Sequence, residues 1–190
     1  QQGLEEPQVE ALPEDQIRQL KTRYGIKRKM VMYAPGGFDI RKNFEGLIKA
    51  FALLPSELRA DYQLVIVSKI NDHLRLGFDQ LRKKAGLAED DLVLTGYVSD
   101  DDLVALYNIA TLFVFPSKYE GFGLTLLEAM ACGAPSIASN ATSIPEVVGW
   151  DDALFDPASI TDMAEKISRA LIDEGFRRQL KDRGLKQSKQ

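Results

Sequence analysis

Residues 112–139 read LFVFPSKYEGFGLTLLEAMACGAPSIAS, and this stretch predicts a complete strand–helix–strand unit. The four apolar residues at 112–115 indicate a strand buried on both faces, as in a parallel sheet. A helix is expected from about Leu124 to Cys132, because Gly133 then offers a stop. A second buried strand is expected at 135–138. Two strands joined through a helix in this way are the unit from which parallel sheets are built.

The same alternation continues in both directions along the chain. Apolar segments predict six strands, at 30–34, 62–67, 92–94, 112–115, 135–138 and 153–155. Helical spacing predicts a first helix that begins at Pro13, helices between the strands, and two final helices at 161–172 and about 175–185. Asn43, and Ser99 with Asp102 three residues later, stand where each would cap the following helix. The pattern predicts an α/β fold, a doubly wound parallel sheet with helices on both faces.

Composition restricts the class of protein. The chain has 190 residues, of which 45% are hydrophobic and 27% charged, with a net charge of −4. These values are typical of one folded domain and exclude a disordered chain. No block of five or more basic residues occurs, so nucleic acid is not an expected partner. We interpret the polar residues 1–12 as a linker or tail and 13–190 as the domain.

Features that the sequence lacks bear on the cellular location of the protein. Cys132 is the only cysteine, so an internal disulfide is excluded and no oxidising compartment is indicated. No apolar run approaches the roughly 20 residues that cross a bilayer, and no signal-peptide pattern begins the sequence. We therefore expect a cytoplasmic location.

The loop before the central helix carries the strongest chemical signal. Gly121 and Gly123 allow a close backbone approach just before a helix amino end, where unpaired N–H groups attract an anion. Thr125 adds a hydroxyl in the first turn, and Glu128 on the same helix could accept hydrogen bonds from a ribose diol. Glu120, on the loop itself, would face the group attached to the far phosphate of a bound diphosphate. From residue types alone, a simple turn with two solvated glutamates explains the stretch equally well.

A family resemblance bears on that choice. EGFGLTLLEAMACGAP, in which seven residues separate Glu120 from Glu128, resembles the E-x7-E signature of retaining glycosyltransferases with the GT-B fold, and most of all family 4. Four other segments are similar to the same family: YAPGGFDIRKNFEGLIKAF (33–51), YQLVIVSK (62–69), LVLTGYVSDDDLVALYNIATLFVFPS (92–117) and SIASNATSIPEVVG (136–149). The resemblance covers roughly residues 13–187. The combination is far more specific than the paired glutamates alone.

The resemblance implies a role for each matching position. Glu120 would contact the donor-sugar hydroxyls and Lys42 would neutralise the diphosphate, which makes these two the catalytic candidates. Glu128 would bind the ribose of a nucleotide-sugar donor. The backbone at Tyr97 and Val98 would form the wall against the base. The diphosphate would be held by the amides of Gly121, Phe122, Gly123, Leu124 and Thr125.

One departure from the family pattern leaves two alternatives open. Many relatives carry an arginine where this chain has Gly37, and an arginine appears instead as Arg41, beside Lys42. Either Arg41 reaches the phosphates or Lys42 acts alone. Ser68 and Lys69, at the end of the second strand, lie near the expected path of the base and phosphates. A direct contact of these residues with the donor and the absence of one are both left open. The GGFDIRKN variant is similar to mannosyl- and rhamnosyl-type transferases of polysaccharide assembly.

The implied function is hexose transfer, of mannose or a related sugar, from a nucleoside-diphosphate sugar to a saccharide or lipid-linked acceptor. The family needs no metal ion, and His73, the only histidine, has no partner set for one. The resemblance covers only the donor-binding half, so the N-terminal acceptor-binding domain of the same polypeptide would be absent and the isolated chain inactive. Peripheral membrane association would occur through that absent domain.

Two other classes of protein are alternatives to this function. One is a nucleotide-binding or scaffolding module without transferase activity, which retention of Glu120, Glu128 and Lys42 disfavours. The other is a dinucleotide-dependent oxidoreductase. The first strand is followed by PGGFDIRKN rather than GxGxxG, which disfavours that class.

Overall fold

The computed structural model describes residues 11–190, and its centre is a parallel sheet. The strands are β1 (Lys29–Tyr33), β2 (Tyr62–Ile66), β3 (Leu92–Leu94), β4 (Leu112–Phe115), β5 (Ser136–Ser139) and β6 (Leu154–Phe155). Their order across the sheet is β3-β2-β1-β4-β5-β6, and all neighbouring pairs run parallel. The predicted doubly wound sheet is confirmed. The predicted tail at 1–12 falls almost wholly on residues 1–10, outside the described residues.

Helices cover the two faces of the sheet. They are α1 (Glu14–Arg23), α2 (Phe44–Ala52), α3 (Ser56–Asp61), α4 (Asp72–Lys84), α5 (Asp100–Ile109), α6 (Leu124–Ala131), α7 (Ile144–Val148), α8 (Ile160–Ile172) and α9 (Glu174–Gln187). On one face, α2 packs against α4 and α8; on the other, α5 contacts α1 and α6, and α6 contacts α9. Between residues 11 and 190, no helix combines the length and apolarity needed to span a bilayer.

The core surrounds the strands of the sheet, and the junction of β1 with β4 lies within it. Every residue of β2 and β4 is buried, as the apolar runs predict for strands covered on both faces. The Tyr33 ring meets the rings of Phe115 and Phe113 edge-on, with centroids 5.9 and 6.4 Å apart. Such edge-to-face contacts add about 0.5–1.5 kcal/mol beyond the area they bury. They hold the ends of β1 and β4 together.

The expected cap at Asn43 is wrong. Asn43 precedes α2 in the left-handed conformation, with φ at 58°, and its side chain makes no capping hydrogen bond. Its amide nitrogen instead donates to the carbonyl oxygens of Pro116, at 3.0 Å, and Pro157, at 3.1 Å. Gly46 leaves the space for this side chain, since a Cβ there would lie 2.4 Å from Asn43 Oδ1. Asn43 thus joins two distant loops rather than serving its own helix.

The cap at Ser99 is confirmed in part. Ser99 Oγ accepts from the backbone N–H of Asp102 at 3.2 Å. The Asp102 carboxylate also accepts from Tyr24 Oη and, at 2.7 Å, from Arg23 Nη1. This cluster therefore ties α5 to α1.

The short helix α3 was not predicted. Its sequence signal is Pro55 followed by Ser56 and Glu57, a proline before an acidic first turn. The helix has only six residues, which is too short for helical periodicity to show.

Two serines of β5 offer a test of packing. Ser139 Oγ is buried and has no hydrogen-bond partner within residues 11–190, whereas Ser136 Oγ donates to the carbonyl of Ala134 at 2.9 Å. We expect Ser139→Ala to leave the free energy of unfolding unchanged or to raise it by up to about 1 kcal/mol, because an unsatisfied hydroxyl is removed. Ser136→Ala, the matched control, should lower it by about 1 kcal/mol. Urea unfolding measures both, and a larger loss for Ser139→Ala would contradict this view of the core.

Candidate functional site

The loops that follow β1 and β4 are fastened to each other at the carboxyl edge of the sheet. The backbone N–H of Lys118 donates to the carbonyl of Arg41 at 2.8 Å, and Asn43 reaches Pro116 as described above. Tyr33 Oη and Ser117 Oγ, both buried, lie 3.3 Å apart. Burial raises the pKa of Tyr33, so its phenol remains neutral and able to donate. These hydrogen bonds fix the backbone positions from which the side chains of both loops extend.

An ion pair between Lys42 and Glu120 lies at the centre of this edge. Lys42 Nζ is 2.9 Å from Glu120 Oε1 and 3.0 Å from Oε2, so the ammonium bridges both carboxylate oxygens. Only 13% of the Lys42 side chain and 18% of the Glu120 side chain are exposed. Water therefore screens this pair less than the exposed pairs of the surface. The sequence placed these residues 78 positions apart, and the fold joins the two catalytic candidates directly.

The amino end of α6 is open to an anion. Gly123 stands at the N-cap with φ at 74°, and no side chain caps the helix. The N–H groups of a first helical turn lack intrahelical partners, and the helix dipole adds partial positive charge there. Phe122 and Leu124 flank this end and are largely exposed, while Thr125 is half-buried in the first turn. The predicted phosphate loop thus lies one residue from Glu120.

Glu128 projects from the exposed surface of α6, about one turn beyond its amino end. Tyr107 Oη from α5 donates to Glu128 Oε2 at 3.3 Å. Burial, and to a lesser degree the negative charge of Glu128, raises the pKa of Tyr107, so the phenol keeps its proton. The remaining acceptor sites of the carboxylate face solvent, where a diol could bind.

Arg41 and Lys42 engage different carboxylates. Arg41 Nε and Nη2 donate to the two carboxylate oxygens of Asp39, at 3.0 and 3.1 Å, in an exposed pair. The hydrogen bonds from Arg41 lower the pKa of Asp39. Gly37 lies half-buried in the same loop. In this arrangement Lys42 is directed towards Glu120, and Arg41 is held at the surface.

The remaining predicted residues lie at the same edge of the sheet, on the far side of β1. Ser68 is half-buried and Lys69 exposed just beyond β2. Tyr97 is 73% exposed after β3, and Val98 packs against the core. Within residues 11–190, none of these four forms a hydrogen bond with the loops that carry Lys42 and Glu120, and their donor contacts stay predictions.

Sequence reasoning missed two residues of the loop after β5. Thr142 Oγ1 accepts from the backbone N–H of Glu120 at 3.3 Å and donates to its carbonyl at 2.9 Å. Ser143 Oγ donates to the carbonyl of Gly121 at 3.0 Å. The rule that ligands bind beyond the carboxyl ends of parallel strands points to this loop as well. Threonine and serine alone form no recognisable pattern, and the similarity of segment 136–149 to the family assigned neither residue a role.

Comparison with known proteins adds independent findings. The family model described as Glycosyl transferases group 1 matches residues 16–187. Over 174 residues the chain is 44% identical to the serotype-specific mannosyltransferase WbdA of Escherichia coli, an alignment covering 92% of this chain and 21% of WbdA. Over 155 residues it is 41% identical to the O-antigen chain mannosyltransferase B of Escherichia coli, covering 82% of this chain and 40% of that protein. The chain thus spans about a fifth of WbdA.

Solved structures share the fold. Sucrose-phosphate synthase from Thermosynechococcus elongatus matches with a TM-score of 0.77 and 28% identity, covering 90% of this chain and 44% of that one. Anabaena HepE, solved in complex with UDP and glucose, matches with a TM-score of 0.79 and 21% identity, covering 95% and 49%. The second likeness is one of fold alone.

Substitution by alanine should have different effects on the free energy of unfolding at two glycines of the loop before α6. Gly123→Ala should lower the free energy of unfolding by about 1–2 kcal/mol, because an L side chain is strained in the left-handed region. Its Cβ would also lie 3.0 Å from Ile144 Cδ1. Gly121→Ala is the matched control, since a Cβ there meets nothing within 4 Å and should be tolerated. Urea unfolding measures both variants, and equal stability would show that the loop does not require this conformation.

Proposed function

The chain belongs to the Glycosyl transferases group 1 family, and we propose that it is the donor-binding half of a retaining, family 4 glycosyltransferase. It binds a nucleoside-diphosphate sugar, whose hexose is mannose or a related sugar, and the complete enzyme transfers that hexose to a saccharide or lipid-linked acceptor in polysaccharide or glycoconjugate biosynthesis. The observation that carries the proposal is the meeting of Lys42, Glu120 and the open amino end of α6 at one edge of the sheet. The likeness to two mannosyltransferases of Escherichia coli supports the choice of sugar.

The chemistry requires stabilisation of a leaving diphosphate. When the bond between the sugar and the diphosphate breaks, negative charge grows on the departing oxygen. The amides from Gly121 to Thr125 are dipoles already in place for that moment, and Lys42 adds a positive charge beside them. Such electrostatic stabilisation is usually the largest single contribution to catalysis. When the donor binds, the Lys42 ammonium leaves the Glu120 carboxylate and pairs with the phosphates. The Glu120 carboxylate then accepts hydrogen bonds from the donor sugar.

The remaining residues hold the nucleoside. Glu128 accepts hydrogen bonds from the ribose, with Tyr107 orienting its carboxylate. The backbone at Tyr97 and Val98 lies against the base, and Ser68 and Lys69 line the path between base and phosphates. Arg41 is paired with Asp39 at the surface, whereas Lys42 is mostly buried at the centre of the edge, so Lys42 carries the neutralising charge.

The acceptor site lies in polypeptide beyond these 190 residues. A GT-B enzyme has a second domain that binds the acceptor, and this chain spans 21% of WbdA and 40% of the O-antigen chain mannosyltransferase. Donor binding needs only the edge described here, whereas transfer needs both substrates held in register. We propose a cytoplasmic location for the enzyme, with any contact with a membrane made through the acceptor domain.

The role of Glu128 predicts a loss of donor affinity. Glu128→Ala should weaken nucleoside-diphosphate binding at least tenfold, since one or two charge-assisted hydrogen bonds disappear at about 1.5 kcal/mol or more each. Glu57→Ala on the exposed face of α3 is the matched control and should change nothing. Calorimetry on the chain measures affinity, and turnover in the full-length polypeptide measures transfer. Nucleotide binding with no transfer by the wild type would favour a binding or scaffolding module instead.

The proposal also predicts independence from divalent cations. Lys42 and the amino end of α6 supply the positive charge, so transfer by the full-length polypeptide should be unchanged by EDTA. Lys42→Met should lower kcat by roughly 10²–10³-fold, comparable with loss of one oxyanion donor. Lys118→Met, an exposed lysine of the neighbouring loop, is the matched control. Loss of activity in EDTA that magnesium restores would overturn this part of the account.

A further inference from the structure

Thr142 has a backbone conformation that its side chain disfavours. Its φ is +49°, in the left-handed region, and Asn43 is the other non-glycine residue of the described chain with positive φ. Asparagine tolerates this region, but a β-branched residue there is a genuine outlier. Such strain persists only where neighbouring contacts maintain it, and it often accompanies function.

The Thr142 hydroxyl is hydrogen-bonded to the backbone of Glu120. Its Oγ1 accepts from the N–H of Glu120 at 3.3 Å and donates to the carbonyl of Glu120 at 2.9 Å. These two groups lie on opposite sides of the Glu120 Cα atom. One hydroxyl that binds both restrains φ and ψ of Glu120 together, and those angles set the direction of its Cβ.

The next residue extends the same contact. Ser143 Oγ donates to the carbonyl of Gly121 at 3.0 Å and lies 3.4 Å from the carbonyl oxygen of Glu120. The loop after β5 therefore forms hydrogen bonds with two consecutive residues of the loop before α6, Glu120 and Gly121. The Glu120 side chain, so directed, meets Lys42 Nζ at 2.9 Å.

We propose that Thr142 is a positioning residue that orients the Glu120 carboxylate for the donor sugar. It acts through the Glu120 backbone and does not itself touch the reacting atoms. The inference rests on the proposed function, because it concerns the same site. A small error in the aim of one catalytic group can lower a rate by up to two orders of magnitude, so the effect belongs to turnover rather than to nucleotide affinity.

The test uses the full-length polypeptide and variants of one position. Thr142→Val keeps the shape and removes the hydroxyl, and we expect kcat to fall about tenfold while affinity for the nucleoside diphosphate alone changes less than twofold. Thr142→Ser retains the hydroxyl and should restore kcat to within about threefold. Thr142→Gly relieves the backbone strain, so it should lower kcat without lowering the melting temperature. Thr22→Val, on the exposed face of α1, is the matched control.

A double-mutant cycle separates positioning from a purely structural role. If Thr142 acts through Glu120, Thr142→Val should cost little further activity once Glu120→Gln is present. Additive losses, failure of Thr142→Ser to restore kcat, or a fall in melting temperature that parallels the fall in kcat would overturn the inference. An active wild type with a fully active Thr142→Val variant would refute it while leaving the proposed function intact. A wild type that binds and turns over no nucleotide sugar would refute the proposed function, and the inference with it.

Discussion

The parallel pairing of β1 with β4 is the constraint on which the site depends. Val31 pairs with Leu112 and Met32 with Phe113, although 81 positions separate the partners in each pair. At this pairing the chain stops adding strands on one side of β1 and begins to add them on the other. The loops after β1 and β4 consequently leave the same edge side by side, which is where doubly wound folds bind ligands. A shift of this register would part Lys42 from Glu120.

The paired charges give that edge its chemical character. Lys42 and Glu120 are mostly buried and neutralise each other. Such a pair stabilises a fold weakly, because desolvation offsets much of the attraction, but removal of one partner leaves a costly buried charge. A diphosphate carries more negative charge than a carboxylate and can compete for the ammonium. Beside it, Arg41 is already engaged with Asp39 at the surface, so two adjacent cations have separate partners.

Local patterns in the sequence predicted the fold because strands buried on both faces are continuous apolar runs, such as 62–67. Residue types marked the loop from Glu120 to Glu128, and the family resemblance added Lys42. The fold brings Lys42 into contact with Glu120. Asn43 escaped local reasoning because its hydrogen-bond partners lie 73 and 114 positions away. The same holds for Thr142, whose contacts with Glu120 cross 22 positions. Tertiary contacts overrode the capping preference of one and the backbone preference of the other.

The central claim is that this edge binds a nucleoside diphosphate, and thermal unfolding of the chain with UDP, GDP, ADP or NAD tests it most directly. At a ligand concentration of about 100 times Kd, binding adds about 2.7 kcal/mol, or roughly 5–10 °C for a chain of this size. The account predicts a rise of that order with one nucleoside diphosphate and none with NAD. A rise with NAD alone, or no rise with any of the three nucleoside diphosphates, would contradict it.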